Sequence, residues 1–213
     1  MSVPQTVLDL ATACRASVLA TVGVELDFEP ETLPILDHYA KHHRELAAGE
    51  KVRPGKKSKA KTSAKPAGTT ESDELLGLVA PICGAYFGEV LRHRFDTMRW
   101  HAPDDDHGLW RLEAESVFLF FNPIGAAMEV IEGKDAPGWG AHLRVRPTER
   151  ETVRGALELF GDVRDSDYYS FTVRFEVFEQ VMETLGRQAR DRGERRLWES
   201  AEYDAFVARE SAD

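Results

Sequence analysis

One segment of the chain has the residue types of a metal site. His101 and His107 enclose three consecutive aspartates, residues 104–106, and imidazole and carboxylate groups are common ligands of divalent cations. An EF-hand loop starting at Asp104 would need glycine at its sixth position, where the chain has Leu109. Turn-forming residues dominate the segment. We therefore predict a polar hairpin loop without a resident metal, and keep a metal site as the alternative.

Other potentially reactive residues lack the context that catalysis requires. His38 and His42 are one helical turn apart, but no glutamate lies between them as in a His-Glu-x-x-His motif. Glu113 and Glu115 share one face of a predicted strand, where we expect ordinary surface carboxylates. Cys83 lies in an apolar stripe, where a thiolate is costly. Phosphate-binding glycine loops and a Gly-x-Ser-x-Gly elbow are absent from the sequence. We therefore predict neither an enzyme nor a cofactor.

A charged pair near two tryptophans is the best candidate for a binding surface. Glu89 and Arg92 are three residues apart near the end of a predicted helix, and Trp100 and Trp110 follow on predicted strands. Aromatic rings beside a charged pair are common in protein interfaces. We predict that these four residues bind a partner. The alternative is a surface ion pair beside tryptophans of the core.

The second candidate is a basic segment inside an acidic chain. The 213 residues include 27 Lys and Arg against 37 Asp and Glu, a formal net charge of -10. Residues 51–70 contain seven basic residues and no acidic one. We predict a disordered linker, because this segment has too little apolar surface to offset its ordering entropy. Five of its lysines are candidates for anion binding: Lys56, Lys57, Lys59, Lys61 and Lys65.

Three roles remain open for this linker. It is a solvated spacer, a tether for nucleic acid or an acidic partner, or a loop that lies across the acidic body of the same chain. The segment has no aromatic residue on which bases could stack. Salt would weaken every charge-driven contact that it makes.

The elements around these candidates predict an α+β fold with four parts. Residues 1–48 form a pair of helices that pack on the main body, and residues 49–71 form the linker. Residues 72–190 form the α+β core, and residues 191–213 form a charged C-terminal helix or tail. The core contains an antiparallel sheet of about four strands, because four short segments rich in aromatic, β-branched or alternating apolar residues follow one another: 97–101, 109–114, 116–121 and 141–145.

The most apolar predicted helix extends to about residue 95 and has small residues on one stripe. Gly77, Gly84 and Gly88 recur at helical spacing, with Pro81 on the same face. Small residues let another backbone approach closely. We therefore predict that this helix is central, is buried on most sides and packs against the sheet.

The composition indicates a cytoplasmic protein. The sequence has no run of about 20 uninterrupted apolar residues, so we predict no membrane span. The N-terminus lacks a basic region followed by an apolar run, so we predict no secretory signal. Two cysteines, Cys14 and Cys83, are too few for a disulfide framework.

Three motifs resemble a bacterial family of uncharacterised domain-of-unknown-function proteins. Residues 26–39 (LDFEPETLPILDHY) resemble its first helix, and residues 117–123 (VFLFFNP) resemble a strand and turn. Residues 84–95 (GAYFGEVLRHRF) and Trp100 resemble its Gly-x-x-x-Gly-Glu-Val-x-Arg helix and the tryptophan strand after it. The matching positions of the helix are Gly84, Gly88, Glu89, Val90 and Arg92.

The similarity covers residues 24–131 and excludes the lysine linker and the C-terminal helices. It implies an α+β fold and no established reaction, and some relatives look like toxin-immunity or accessory proteins. We predict a non-enzymatic cytoplasmic module that recognises another protein, as an immunity protein or an adaptor does. The first alternative is a nucleic-acid-associated protein that uses residues 51–70, and the second is a metal-dependent enzyme that uses residues 101–107.

Overall fold

The computed structural model describes residues 3–50, 71–104, 106–158, 161 and 164–210. Residues 51–70 of the predicted linker, which include its five candidate lysines, lie outside these residues, whereas residues 49, 50 and 71 belong to the helices on either side. Short 3-10 helices at residues 30–32, 107–109 and 147–149 separate some of the main elements. These elements are α1 (Gln5–Val22), α2 (Leu33–Glu50), α3 (Glu71–Arg94), β1 (Met98–His101), β2 (Arg111–Ala114), β3 (Leu119–Phe121), α4 (Pro123–Glu132), β4 (Arg144–Val145), α5 (Arg150–Glu158), α6 (Asp165–Tyr168), α7 (Phe171–Asp191) and α8 (Ser200–Glu210).

The four strands form one antiparallel sheet in the order β1-β2-β3-β4. Trp100 lies opposite Leu112, and Phe120 pairs with residues on both neighbouring strands. The predicted α+β fold with a small antiparallel sheet is confirmed. β2 begins later than predicted because residues 107–109 form a 3-10 turn, in which the Asp106 side chain accepts a hydrogen bond from the Gly108 amide.

The central position of α3 depends on two of its three glycines. A Cβ atom at Gly84 would lie 2.5 Å from the Cα atom of Ile124, so α4 packs directly on the backbone of α3. A Cβ atom at Gly88 would lie 2.1 Å from the ring of Trp100, which occupies that space. Gly77 has no atom within 4 Å of its Cβ position. Gly84 and Gly88 therefore allow α4 and β1 to pack closely on the helix, whereas Gly77 makes no such contact.

The opposite side of α3 packs against α1. Cys14 and Cys83 are both fully buried there as free thiols. Burial raises the pKa of the Cys83 thiol, with Cys14 beside it, so both cysteines act as small core residues. By length and composition, the part of α3 from Leu75 to Arg94 could cross a membrane, but 67% of its most apolar window is buried inside the protein. This burial is typical of the core helix of a soluble protein.

The C-terminal elements cover the remaining faces. α7 contributes Phe171, Phe175 and Phe178 to the main core. α8 packs on the other face of the sheet and forms a second apolar cluster there, consisting of Phe118, Phe120, Trp198, Tyr203 and Phe206. The Tyr203 hydroxyl donates to the carbonyl oxygens of Ala114 and Val117. The predicted C-terminal helix is therefore docked on the sheet.

Candidate functional site

The charged pair near the end of α3 is close to Trp100. The Arg92 guanidinium donates from Nε and Nη2 to the carboxylate of Glu89, at distances of 2.9 to 3.1 Å. The indole Nε1 of Trp100 donates to Glu89 Oε1 at 2.8 Å. Glu89 is 1% exposed, so its buried charge is stabilised by a cation and an additional donor. The Arg92 side chain keeps 30% of its surface exposed.

The two tryptophans are core residues rather than surface anchors. Trp100 is 7% exposed and Trp110 is 1% exposed, and their rings pack edge to face with centroids 6.2 Å apart. The Trp110 indole donates to the backbone oxygen of Asp104 at 2.6 Å. The alternative of core tryptophans beside an ion pair describes this geometry. Among the four predicted partner-binding residues, Arg92 alone retains an accessible side chain.

A second buried carboxylate lies between the sheet and α8. Glu113 is fully buried, and it accepts from Arg99 at 2.9 Å, from Arg111 at 2.6 Å and from the Ser200 hydroxyl at 2.8 Å. Arg111 also pairs with Asp204 on α8. The expectation that Glu113 is an ordinary surface carboxylate is wrong, because α8 covers this face of β2.

A third buried carboxylate was not found by sequence reasoning. Glu129 lies on α4 and is fully buried, where Arg174 of α7 pairs with it. His142 Nε2 lies 3.4 Å from Glu129 Oε1, and the Ala136 amide donates to the same oxygen at 3.1 Å. The available signal was composition, because Glu129 is the one charged residue in the apolar run 123–131.

The environment of Glu129 has the ligand types of a cation site. In the part of the chain that the structure describes, Glu129, Asp135 and His142 are the one group of three potential ligands whose atoms lie within 4.8 Å of one another. The Arg174 guanidinium already pairs with the buried carboxylate, and a second cation beside it would be repelled. The buried carboxylate therefore already has its cation in Arg174.

The two histidine segments are not part of any such group among the described residues. The His107 ring packs against Trp110 with centroids 4.6 Å apart, and Asp106 caps the 3-10 turn. Burial lowers the pKa of His101, with Arg111 nearby. His42 is exposed on α2 and lies beside His43. These contacts are those of a structured hairpin loop and a helix face.

The outer face of α1 and of the residues just after it is uncharged between exposed Asp9 and exposed Glu25. The exposed residues between positions 10 and 24 include no charged side chain: Thr12, Ala13, Ala16, Leu19, Ala20, Thr21, Gly23 and Val24. Arg15 is half-buried because its guanidinium donates to the Leu26 carbonyl at 2.6 Å and to Glu25 at 2.9 Å. Leu19 is 49% exposed. An uncharged face of this length is depleted in charge as interface cores are.

The exposed face of α7 provides an internal contrast. Every exposed residue on α7 is charged: Glu176, Glu183, Arg187, Arg190 and Asp191. In a chain with 30% charged residues, the charged pattern is that of a solvated helix. From Leu10 onward, the outer face of α1 is therefore less charged than the exposed face of α7. Sequence reasoning missed this face because none of its residues is unusual by itself.

No family model, no curated protein and no solved structure matches this chain. The resemblance to the bacterial family therefore stays a prediction, and the functional argument depends on the geometry described above.

Proposed function

We propose that this chain is a non-catalytic, cytoplasmic binding protein that recognises another protein through the outer face of α1. The observation that carries the proposal is the absence of charge among the exposed residues at positions 10 to 24. Depletion of charge is a feature of the buried cores of protein interfaces. An immunity or adaptor role is consistent with such a surface.

The buried carboxylates support binding rather than catalysis. Glu89, Glu113 and Glu129 each pair with at least one arginine, and the fourth buried glutamate, Glu149, pairs with Arg146. A general acid or base needs a carboxyl group within hydrogen-bond distance of a substrate proton. In the first three clusters arginines and other protein donors, such as the Ala136 amide at Glu129 Oε1, occupy the carboxylate oxygens, so the charges hold elements of the fold together.

The partner is expected to present an uncharged surface with a basic rim. Ala13, Ala16 and Ala20 are small and exposed on α1, and small residues allow a partner helix to approach closely. The chain is strongly acidic, so positive charges around the contact would accelerate association and favour this partner over acidic ones.

The test is capture of partners from the native host, followed by measurement of affinity with the purified partner. Ala16→Glu and Leu19→Glu place a carboxylate on the proposed surface, and we expect each to weaken binding by at least about 10-fold, because an unpaired interface charge must be desolvated. Ala205→Glu places the same group on exposed α8 and should leave binding unchanged. A partner that binds all three variants as it binds the original chain would refute the proposed surface.

A second candidate function uses the basic segment. Residues 51–70 contain seven basic residues and no acidic one, which supports contact with nucleic acid phosphates. The intact protein should then be retained on DNA or RNA at low salt, and deletion of residues 51–70 should abolish this retention. An intact protein that is not retained at low salt would exclude this function.

A further inference from the structure

A cleft beneath α5 has the two parts that an amphipathic ligand requires. One part is a cavity of about 340 Å³ between α5, α7 and the sheet, with Phe87, Phe121 and Phe178 among its walls. The other part is a more open cleft of about 700 Å³ that reaches the surface. Val153 and Leu157 of α5 line both, so the two spaces adjoin along one helix. Volumes in this range are typical of small-molecule sites.

The helix above the cleft does not fill it. Within α5, Ala156 is the buried residue, and Val153 and Leu157 remain half-buried. Both side chains pack against the edge of the main core and also line the two spaces. Interiors of proteins are normally packed without voids of this size. Among the residues that the structure describes, no side chain fills the apolar space, and the apolar body of a ligand would fit there.

The open part of the cleft is lined by arginines. Arg144, Arg150 and Arg154 line it together with the carboxylates of Glu158 and Glu210. Arg144 is held in place because its guanidinium lies 5.2 Å from the ring centroid of Phe120. Burial lowers the pKa of Arg144, and the neighbouring charge of Arg150 lowers it further. Two guanidinium groups held close together favour an anion between them.

A carboxylate of the chain already contacts two of these arginines. The carboxylate of Glu210, at the end of α8, pairs with both Arg144 and Arg150, the latter at 3.1 Å. Carboxylate recognition by arginine is directional and strong. Arg174, which lines the apolar cavity, forms a buried pair with Glu129 whose side chains are 13% and 0% exposed. Arg144 and Arg150 are 35% and 57% exposed, so a ligand carboxylate can reach them from solvent.

We propose that the cleft beneath α5 binds an organic carboxylate with an apolar body, such as a medium-chain fatty acid. The apolar body occupies the cavity beside Phe121 and Phe178, and the carboxylate binds Arg144 and Arg150 in competition with Glu210. This site is separate from the outer face of α1, so neither proposal depends on the other.

Calorimetric titration of the full chain with decanoate tests this site, with decanol and decyltrimethylammonium as probes of equal chain length. We expect saturable binding of one decanoate, at least about 10-fold tighter than either probe, because a hydrogen-bonded charge pair contributes this much. Equal affinity for decanol would overturn the assignment of the arginines. Undetectable decanoate binding would overturn the site.

Two substitutions of opposite expected effect sharpen the test. Arg150→Gln should weaken decanoate binding by about 10-fold, because it removes one charged donor. Glu210→Gln should tighten it, because it removes the competing carboxylate. The matched controls are Arg187→Gln and Glu183→Gln on α7, where the side chains are 60% and 59% exposed and pair with each other. The proposal fails if Arg150→Gln and Arg187→Gln bind decanoate alike, or if Glu210→Gln does not bind it more tightly than Glu183→Gln.

Discussion

The indole of Trp100 and the carboxylate of Glu89 join β1 to α3 through a buried hydrogen bond of 2.8 Å. The same carboxylate is neutralised by Arg92 on its own helix. Burial of a charge is costly unless the charge is paired and hydrogen-bonded, and here the pairing fixes the first strand of the sheet against the central helix. The cluster is consequently part of the scaffold.

We predict that Glu89→Ala destabilises the fold by about 3–5 kcal/mol, because it leaves Arg92 and the Trp100 indole without their shared acceptor. Urea unfolding followed by tryptophan fluorescence measures this loss. Glu183→Ala removes an exposed pair with Arg187 and should change the free energy of unfolding by less than about 1 kcal/mol. Similar losses in the two variants would show that the Glu89 cluster is not structural.

The second prediction concerns two glycines of α3, Gly88 and, as the control, Gly77. Gly88→Ala should cost at least about 1–3 kcal/mol, because its Cβ atom would collide with the Trp100 ring. Gly77→Ala should instead stabilise the helix by about 0.5–1 kcal/mol, because nothing lies near its Cβ position and alanine reduces the entropy of the unfolded chain. Thermal and urea unfolding of both variants checks the signs. A stable Gly88→Ala protein would contradict the described packing.

The glycines of α3 show which part of the helix packing can be predicted from the sequence. Their spacing predicts one face of one helix, and that face does receive α4 and Trp100 at Gly84 and Gly88. Spacing cannot distinguish Gly77 from the other two, because close approach depends on which elements return to the helix from later in the chain. Local patterns therefore identify the central helix but not its contacts.

The burial of the carboxylates could not be predicted from the sequence. Glu113 is buried because Ser200, 87 positions later, belongs to the segment that covers it. Glu129 is paired with Arg174, 45 positions away. A glutamate on a strand or helix has the same local appearance whether solvent or a distant arginine faces it. The sequence likewise does not show that Trp100 and Trp110 are buried, so it predicts a partner surface there.

The Glu129 cluster predicts the response of the protein to divalent cations. Because Arg174 neutralises Glu129, we expect added zinc or manganese to change the melting temperature of the original chain by less than about 1 °C. Arg174→Gln removes the competing cation, so zinc should stabilise this variant through Glu129, Asp135 and His142. Thermal unfolding with and without zinc measures both responses. A stabilisation of the original chain that His142→Ala abolishes would instead reveal a metal site.

The last prediction concerns His43, whose two ring nitrogens are buried without a hydrogen-bond partner among the described residues. Burial lowers the pKa of His43 below 6.5, and the neighbouring His42 lowers it further. The unfolded chain therefore takes up a proton at higher pH than the folded chain does. It follows that the stability associated with neutral His43 is fully present above about pH 6.5 and is lost as the pH falls towards the lower pKa of the folded state.

His43→Phe should remove this sensitivity, because phenylalanine keeps an aromatic ring beside Tyr39, whose centroid lies 4.5 Å from that of His43, and buries no unpaired polar atom. We expect a gain of about 1 kcal/mol near neutral pH and a larger gain near pH 5, where the original chain bears the cost of protonation. His42→Phe changes an exposed histidine on the same helix and controls for the exchange of an imidazole for a phenyl ring. Urea unfolding between pH 5 and pH 7 measures this gain in the free energy of unfolding. If the gain from His43→Phe stays constant or decreases as the pH falls, His43 accepts its proton as readily in the folded chain as in the unfolded chain, and the prediction is wrong.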